Sequence, residues 1–153
     1  MVAITVLLAA LLYMMFSLPN FNLSIFSPSP SFLEIKSIRH QSETGEMNFD
    51  SRVTLYHNGT LKYKNDDLYA VFYRNQEKVS CSIETLNGCN FISTHHYGVQ
   101  TLAGLGCTGE WWAPCEKIAI DFTDGTFHPG DLITVEIYQR PKSLLISRHS
   151  RSA

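Results

Sequence analysis

Charged residues are missing from the first 31 positions of the chain, and the 12 basic and 14 acidic residues all come later. Between Val2 and Leu18, only Thr5, Tyr13 and Ser17 carry a polar side-chain group. A segment that is apolar on every face has no side to turn toward water, which excludes an amphipathic helix packed on a globular core. At about 1.5 Å per residue this run extends roughly 25 Å, slightly less than a bilayer core. We therefore expect residues 1–18 to form an apolar transmembrane or assembly helix.

Basic residues are also missing ahead of this run, since no Lys or Arg precedes Lys36. A secretory signal peptide ordinarily begins with a basic region, so this absence weakens that interpretation. A plain one-pass anchor is a second interpretation. The missing flanking charges then leave its orientation unspecified by the positive-inside rule.

A third interpretation comes from the order of the apolar residues. The first ten, MVAITVLLAA, resemble the apolar helix of archaeal type IV pilins and their archaellin-like relatives, including those of methanogenic archaea. Such helices sit in the membrane as monomers and then pack together as the core of a filament. The resemblance implies a set of helix-packing residues in which small alanines permit close approach. These are Leu8, Ala9, Ala10, Leu11, Leu12, Met15 and Phe16.

The processing signals of that family are not found in this sequence. Its members carry a short basic leader and a Ser-Pro-Val-Ile-Gly-like start ahead of the helix. Two expectations follow from the resemblance: either Met1 is an internal methionine of a longer precursor, or the processing site has been lost.

Pro19 is expected to end the apolar helix, because the residue before a proline is pushed out of the α region. Residues 19–31 are rich in serine and proline, a composition typical of extended linkers. The remaining residues, 32–153, suffice for one domain with a real core and are too few for two. We expect them to form a head domain separated from the helix by the linker.

Sustained helical periodicity is absent after residue 31, which disfavours crossover helices and a parallel sheet. Short alternating runs bounded by turn residues predict strands instead. The predicted strands are Phe32 to Ile38, Arg52 to His57, Leu61 to Tyr63, Leu68 to Arg74, Lys78 to Ile83, Lys117 to Phe122, Leu132 to Tyr138 and Leu144 to Arg148. The fold class is therefore mainly β: an N-terminal apolar α-helix followed by an antiparallel, immunoglobulin-like β-sandwich.

One segment, Leu86 to Pro114, shows little periodicity and is rich in glycine. Unstructured loops of this length are uncommon in compact domains and are usually functional or stapled. Four cysteines lie in or beside it, and Cys-x2-4-Cys knuckles, typical of structural zinc sites, are lacking. An exported head favours disulfides among Cys81, Cys89, Cys107 and Cys115, with three connectivities open. Pairing of near neighbours, Cys81 with Cys89 and Cys107 with Cys115, is the connectivity we favour; zinc is the alternative.

Two sequons are present, one at Asn58 in a predicted turn and one at Asn22 in the linker. At Asn58 an ordinary Asn-Gly turn is an equal alternative to glycosylation. Trp111 and Trp112 are candidates for surface contact, because exposed aromatic side chains make good anchors. The alternative for them is packing over an adjacent disulfide.

Residues that could carry chemistry are few. His95 and His96 are adjacent, so in a strand they would face opposite sides, and a surface loop is the better interpretation. The acidic run with Asp121, Asp124 and Asp131 does not match the ligand spacing of a calcium loop, so we interpret these residues as turn formers. Net charge is −2, without a clustered basic face for nucleic acid. We expect no catalysis, cofactor, metal or nucleic-acid partner.

The C-terminal region carries a second resemblance. The run DFTDGTFHPGD at residues 121–131, followed by Val135-Glu136-Ile137 and ISRH at 146–149, resembles the closing strands of pilin-like proteins of methanogenic archaea. Together, the two resemblances imply a cell-surface filament subunit that polymerises with itself through its helix and displays its head outside the membrane for adhesion. The alternative is a membrane-anchored accessory protein, a pseudopilin or an archaellum stator-like component, whose sandwich head binds another protein.

Overall fold

The computed structural model describes residues 32–41 and 50–153. The predicted apolar helix at 1–18 and the linker at 19–31 lie outside these residues, so both stay predictions. Within the described part of the chain, no helix combines the length and apolar character needed to span a bilayer.

The described residues are mainly β, and all the strand pairs are antiparallel, as predicted. The strands are β1 Leu33–Arg39, β2 Ser51–His57, β3 Tyr63–Lys64, β4 Leu68–Arg74, β5 Glu77–Lys78, β6 Val99–Ala103, β7 Trp111–Trp112, β8 Lys117–Phe122, β9 Leu132–Gln139 and β10 Leu144–Ser152. One short helix, α1 Leu105–Thr108, follows β6 directly. Single 3-10 turns lie at Asn65–Asp67, Gly88–Asn90 and Ser93–His95.

Eight of these strands form two four-stranded sheets, in the orders β1-β2-β8-β6 and β10-β9-β4-β5. With the strands lettered along the chain and the β3-β7 ribbon set aside, these orders read A-B-E-D and G-F-C-C′. That is the arrangement of immunoglobulin-type sandwiches.

The core lies between the two sheets, where β2, β4 and β8 bury alternate side chains. In β2 and β8 the inward residues include Val53 and Ile120, and in β4 they include Phe72, all fully buried. Across the core, the rings of Phe72 and Phe122 meet edge to face at 4.9 Å, and Phe127 closes the same cluster at 5.0 Å from Phe122. Edge-to-face pairs of this kind contribute about 0.5–1.5 kcal/mol beyond the area they bury.

One lateral seam of the sandwich is closed by side chains of β10 that bond to the backbone of β1. The buried Ser147 hydroxyl accepts from Leu33 N–H at 3.0 Å and donates to Leu33 C=O at 3.2 Å. Next along the strand, His149 Nδ1 accepts from Ile35 N–H at 3.1 Å. These bonds satisfy backbone groups on the outer side of β1 that no strand of its own sheet can reach.

The prediction of a long unstructured loop from Leu86 to Pro114 is wrong. This segment contains two strands, β6 and β7, and helix α1. The predicted strand from Lys78 to Ile83 is also shorter than expected, because only Glu77–Lys78 pairs as β5 and Ile83 forms a single bridge to Ala70.

Replacing Ser147 with Ala tests the closed seam. Both backbone groups of Leu33 would stay buried without a partner, so we expect the free energy of unfolding to fall by about 1–3 kcal/mol. Urea denaturation of the full-length protein, followed by tryptophan fluorescence, measures this change. Ser152→Ala, at an exposed position of the same strand, is the control and should stay within about 0.5 kcal/mol of the parent. Equal stability of the two variants would show that the seam bonds contribute nothing.

Candidate interaction surface

Each sheet has two edge strands, and an edge strand presents unpaired backbone groups to its surroundings. On the first sheet the edges are β1 and β6, and on the second they are β10 and β5. The β1 edge is bonded to Ser147 and His149. The β10 strand carries Arg148 and Arg151, and β5 has only two residues, Glu77 and Lys78. Charge and shortness are the usual devices by which proteins protect such edges.

The remaining edge, β6, has neither device. Its five residues, Val99–Ala103, include no charged residue and no proline. It pairs only with β8, and no strand lies on its other side among the described residues. A register shift between Val99 and Thr101 is followed by regular pairing of Thr101 to Ala103 with β8. Among residues 32–41 and 50–153, the outer edge of this regular part is therefore left open to a further strand.

Apolar side chains flank this edge at both ends. Tyr97, just before β6, and Leu105, just after it, are each 74% exposed. The sequence from residue 85 to residue 109 contains no Asp, Glu, Lys or Arg. We call residues 85–109 the uncharged excursion. Depletion of charge together with exposed aromatic and aliphatic side chains is typical of the centre of protein interfaces.

Asn65 fixes both ends of the uncharged excursion. Its buried side-chain amide donates to the carbonyls of Gly106 and Gly109, each at 2.8 Å. Its backbone C=O accepts from Leu86 N–H at 3.3 Å, and its backbone N–H donates to Glu110 C=O at 2.9 Å. The same residue therefore fixes the backbone where the excursion leaves the sandwich and where it returns.

The neighbouring Asp66 fixes the first turn of the excursion. Its Oδ1 accepts from the amides of Asn87 at 3.0 Å and Asn90 at 2.8 Å. Asn87 in turn caps the Gly88–Asn90 turn, because its Oδ1 accepts from Cys89 N–H. An asparagine at this position suits a turn start, where its short side chain bonds to the backbone two residues ahead.

Gly104 allows the chain to turn from β6 into α1. Its φ is +110°, and a Cβ there would lie 2.5 Å from Lys117 C=O. A residue with a side chain cannot occupy this position without a shift of β8. The excursion therefore lies close against the end of β8 where Lys117 is.

Trp112 anchors the return of the excursion and corrects one sequence expectation. It is fully buried and packs edge to face on His57 at 5.6 Å, while its indole N–H donates to Glu116 C=O. Trp111 is 49% exposed, so of the two tryptophans only Trp111 is available for surface contact. Burial lowers the pKa of His57, whose Nδ1 accepts from Gly59 N–H at 3.1 Å. The ring on which Trp112 packs is thus that of a histidine, and its packing over a disulfide stays a prediction.

The two adjacent histidines differ in their exposure to solvent. His95 is exposed, but His96 is buried, with its ring 4.4 Å from that of Phe91. The expectation that both lie in a surface loop is therefore wrong for His96. Its Nδ1 lies 3.0 Å from Ile92 C=O, which gives this side chain a structural role in the turn before β6.

The acidic residues of the C-terminal region take part in local bonds. Asp121 pairs with Arg52 at 3.3 Å. Asp131 accepts from His128 N–H at 2.8 Å and from the Asn75 amide at 2.7 Å. Within the described residues, no three His, Cys, Asp or Glu side chains lie together as a metal-binding set.

The four cysteines are thiols in the structure and occupy different surroundings. Cys81 lies against Gly98, and burial raises its pKa to about 11. Cys89 and Cys107 lie in adjoining turns of the uncharged excursion, and Cys115 lies beside β2, where its N–H donates to His57 C=O. The favoured pairing of Cys81 with Cys89 is therefore not the one that the structure brings together.

Asn58 is exposed at the end of β2, so its sequon is accessible. Its backbone N–H donates to Phe32 C=O at 2.6 Å, which fixes the backbone at this turn. Asn22 lies outside the described residues.

Two other surface features were candidates for the site. The outer face of the second sheet carries Tyr73 and Tyr138, whose hydroxyls both donate to Glu136 Oε2 at 2.9 and 2.7 Å. This group satisfies its own polar atoms. The clefts beside β4 and β5 measure about 220 to 340 Å³ and are lined by residues such as Lys78 and Thr126. They are at or below the small end of the range for ligand pockets.

No protein-family model matches the chain, and no curated protein matches it. Among solved structures, the archaellum periplasmic stator protein FlaG from Sulfolobus acidocaldarius is 15% identical, with a TM-score of 0.43, over 79% of this chain and 97% of that one. The complex of the archaellum periplasmic stator proteins FlaF and FlaG from the same organism is 12% identical, with a TM-score of 0.44, over 89% of this chain and 100% of that one. The chain is thus similar to archaellum stator proteins at low identity, and its resemblance to type IV pilins stays a prediction.

β6 and its flanking residues are not among the sites predicted from the sequence. The signal available for it is the absence of charge from residue 85 to residue 109 in a head that otherwise carries all the charges of the chain. β6 itself has one buried residue, Val99, and a register shift after it, so the strand gives little periodic signal.

Replacing Asn65 with Asp tests how the excursion is held. The carboxylate would face the carbonyls of Gly106 and Gly109, so two bonds become repulsions in a buried site. We expect the free energy of unfolding to fall by about 3 kcal/mol or more. We also expect limited proteolysis of the full-length protein to cut within residues 85–109. Asp67→Asn, in the same turn, is the control and should change neither property. A stable, protease-resistant Asn65→Asp protein would contradict this account of the excursion.

Proposed function

We propose that the chain is a membrane-anchored accessory protein whose immunoglobulin-like head binds another protein. Binding takes place by strand addition, in which an extended segment of the partner pairs with the outer edge of β6. Residues 1–18 serve as the membrane anchor and residues 19–31 as the spacer. The head, including the accessible Asn58 sequon, lies on the outer side of the membrane, and the protein is not an enzyme.

The observation that carries this proposal is the open, uncharged edge of β6. In strand addition, backbone hydrogen bonds supply affinity, and side chains of alternate residues supply specificity. Thr101 to Ala103 offer the regular backbone, and exposed Tyr97 and Leu105 offer apolar contacts at its two ends. The partner segment that fits this surface is extended, uncharged along its pairing edge, and apolar at both ends.

A filament subunit is the second candidate. It is supported by the resemblance of residues 1–10 to pilin helices and of residues 121–131 to pilin-like closing strands. Such a subunit polymerises with itself through its helix and requires no open strand edge on its head. The edge of β6 therefore favours the accessory role.

Site-specific crosslinking in cells tests the proposal with the full-length, membrane-inserted protein. A photo-crosslinking amino acid replaces Gln100, which is exposed in β6, and a control protein carries it at Ser152 in β10. We expect an adduct with one defined protein from position 100 and none from position 152. Thr101→Lys in the same chain should reduce this adduct at least tenfold, because a lysine on an edge strand opposes pairing. The matched Ser152→Lys change should leave it intact.

Three outcomes would overturn the proposal. An adduct of the protein only with itself would favour the filament subunit. Equal adducts from positions 100 and 152 would mean that β6 is not a specific surface. An adduct that survives Thr101→Lys unchanged would mean that the partner lies near β6 without pairing with it.

A further inference from the structure

The uncharged excursion contains two of the four cysteines at a point where two of its turns touch. Cys89 lies in the Gly88–Asn90 turn, and Cys107 lies in α1. A Cβ placed on Gly88 would lie 3.0 Å from Cys107 Sγ and 3.5 Å from Cys107 Cβ. Cys89 Sγ itself lies 3.4 Å from the carbonyl oxygen of Thr108. The backbone of one turn therefore rests on the side chain of the other.

Cys81 lies too far away to compete. Cys81 contacts Gly98, whose carbonyl accepts from Thr123 N–H just beyond the Phe122 end of β8. The two turns lie at the opposite end of β8, where Gly104 adjoins Lys117. A six-residue strand such as β8 spans roughly 17 Å, whereas bridged cysteines have Cα atoms within about 7 Å. This distance excludes any disulfide that includes Cys81.

Cys115 contacts a different part of the structure from Cys107. Its N–H donates to the His57 carbonyl, and the buried Trp112 packs edge to face on the His57 ring. Cys107 instead lies against Gly88. The contact of Cys107 with the Gly88–Asn90 turn therefore favours Cys89 as its partner.

We propose that Cys89 and Cys107 form a single, reversible disulfide that ties the Gly88–Asn90 turn to α1, while Cys81 and Cys115 stay as thiols. This inference does not depend on the proposed partner of β6. It replaces the pairing of sequence neighbours expected from spacing alone. The bond would covalently fix the two turns between which β6 runs.

The chemistry is thiol–disulfide exchange with a small-molecule or protein disulfide as oxidant. Exposed Cys89, as the thiolate, attacks one sulfur of the oxidant and forms a mixed disulfide with it, while the other oxidant sulfur leaves and takes up the proton that Cys89 lost. Cys107 then loses its proton, attacks the Cys89 sulfur and expels the second oxidant thiol. Two protein thiols and one oxidant disulfide thus give one disulfide in this protein and the two thiols of the reduced oxidant. The pKa of Cys107 is raised, chiefly by burial and also by the charge of the nearby Cys89. Cys107 therefore forms its thiolate less readily, and we expect the second step to be the slower one.

Rotation about the Cα–Cβ bond of Cys89 is needed before the bond forms. Its sulfur faces Thr108 C=O in the structure, and the residue is exposed, so other staggered positions are open to it. Cys107 Sγ is fixed by its contact with Gly104 C=O at 3.2 Å. The exposed cysteine therefore moves toward the buried one.

The test uses the full-length protein in detergent, equilibrated with oxidised glutathione and, separately, with a reductant. Thiols are trapped by alkylation in denaturant, and peptides are mapped by mass spectrometry. We expect four alkylated cysteines after reduction. After oxidation we expect two, Cys81 and Cys115, together with a linked peptide pair containing Cys89 and Cys107. Oxidation should raise Tm by on the order of 10 °C, because the bond closes a loop of medium length.

Variants separate this bond from other effects of oxidation. Cys89→Ser changes an exposed side chain and should abolish both the linked peptides and the rise in Tm, whereas the control Cys115→Ser should retain both. Four free thiols after oxidation would overturn the inference. So would a linked peptide that contains Cys81 or Cys115, or a rise in Tm that persists in Cys89→Ser.

Discussion

The backbone N–H and C=O groups at the strand edges are the main constraint on this head. Two sheets in a sandwich leave four edges, and at each one a row of unpaired backbone groups can pair with another chain unless it is protected. At the β1 edge, the solution is bonding to Ser147 and His149 across the seam. At β10 it is positive charge, and at β5 it is a strand of only two residues. At β6 the described residues provide neither charge nor a covering strand, and this exception defines the site.

The surroundings of β6 are built to hold that edge in place. Asn65 joins the start and the end of the uncharged excursion through side-chain and backbone bonds, and Asp66 holds its first turn. Trp112, buried against His57, fixes the return to the sandwich. These buried hydrogen bonds restrict the excursion to one arrangement, because breaking them would leave buried polar groups without partners. An edge that is both open and rigid loses little conformational entropy when a partner strand pairs with it.

The sequence predicts the regular part of the fold well because alternation reports burial directly. The bounds predicted for Leu68 to Arg74 and Lys117 to Phe122 are confirmed, and both strands bury every second side chain. β6 was missed because it has one buried residue, a register shift and flanking glycines, so no alternation is visible. The burial of Trp112 depends on its contact with His57, a residue distant in sequence. The pairing of cysteines depends on which end of β8 each one reaches, and spacing along the chain carries no information on that.

Amide hydrogen exchange at β6 tests the central claim most directly. In the full-length protein alone, amides of Gln100 to Ala103 that point away from β8 should exchange far faster than those of β2, a central strand of the same sheet. In the complex with the crosslinked partner, the same β6 amides should become protected, while the exchange of β10 stays unchanged. Protection of β6 before any partner is added, or protection of β10 instead of β6 in the complex, would contradict the account.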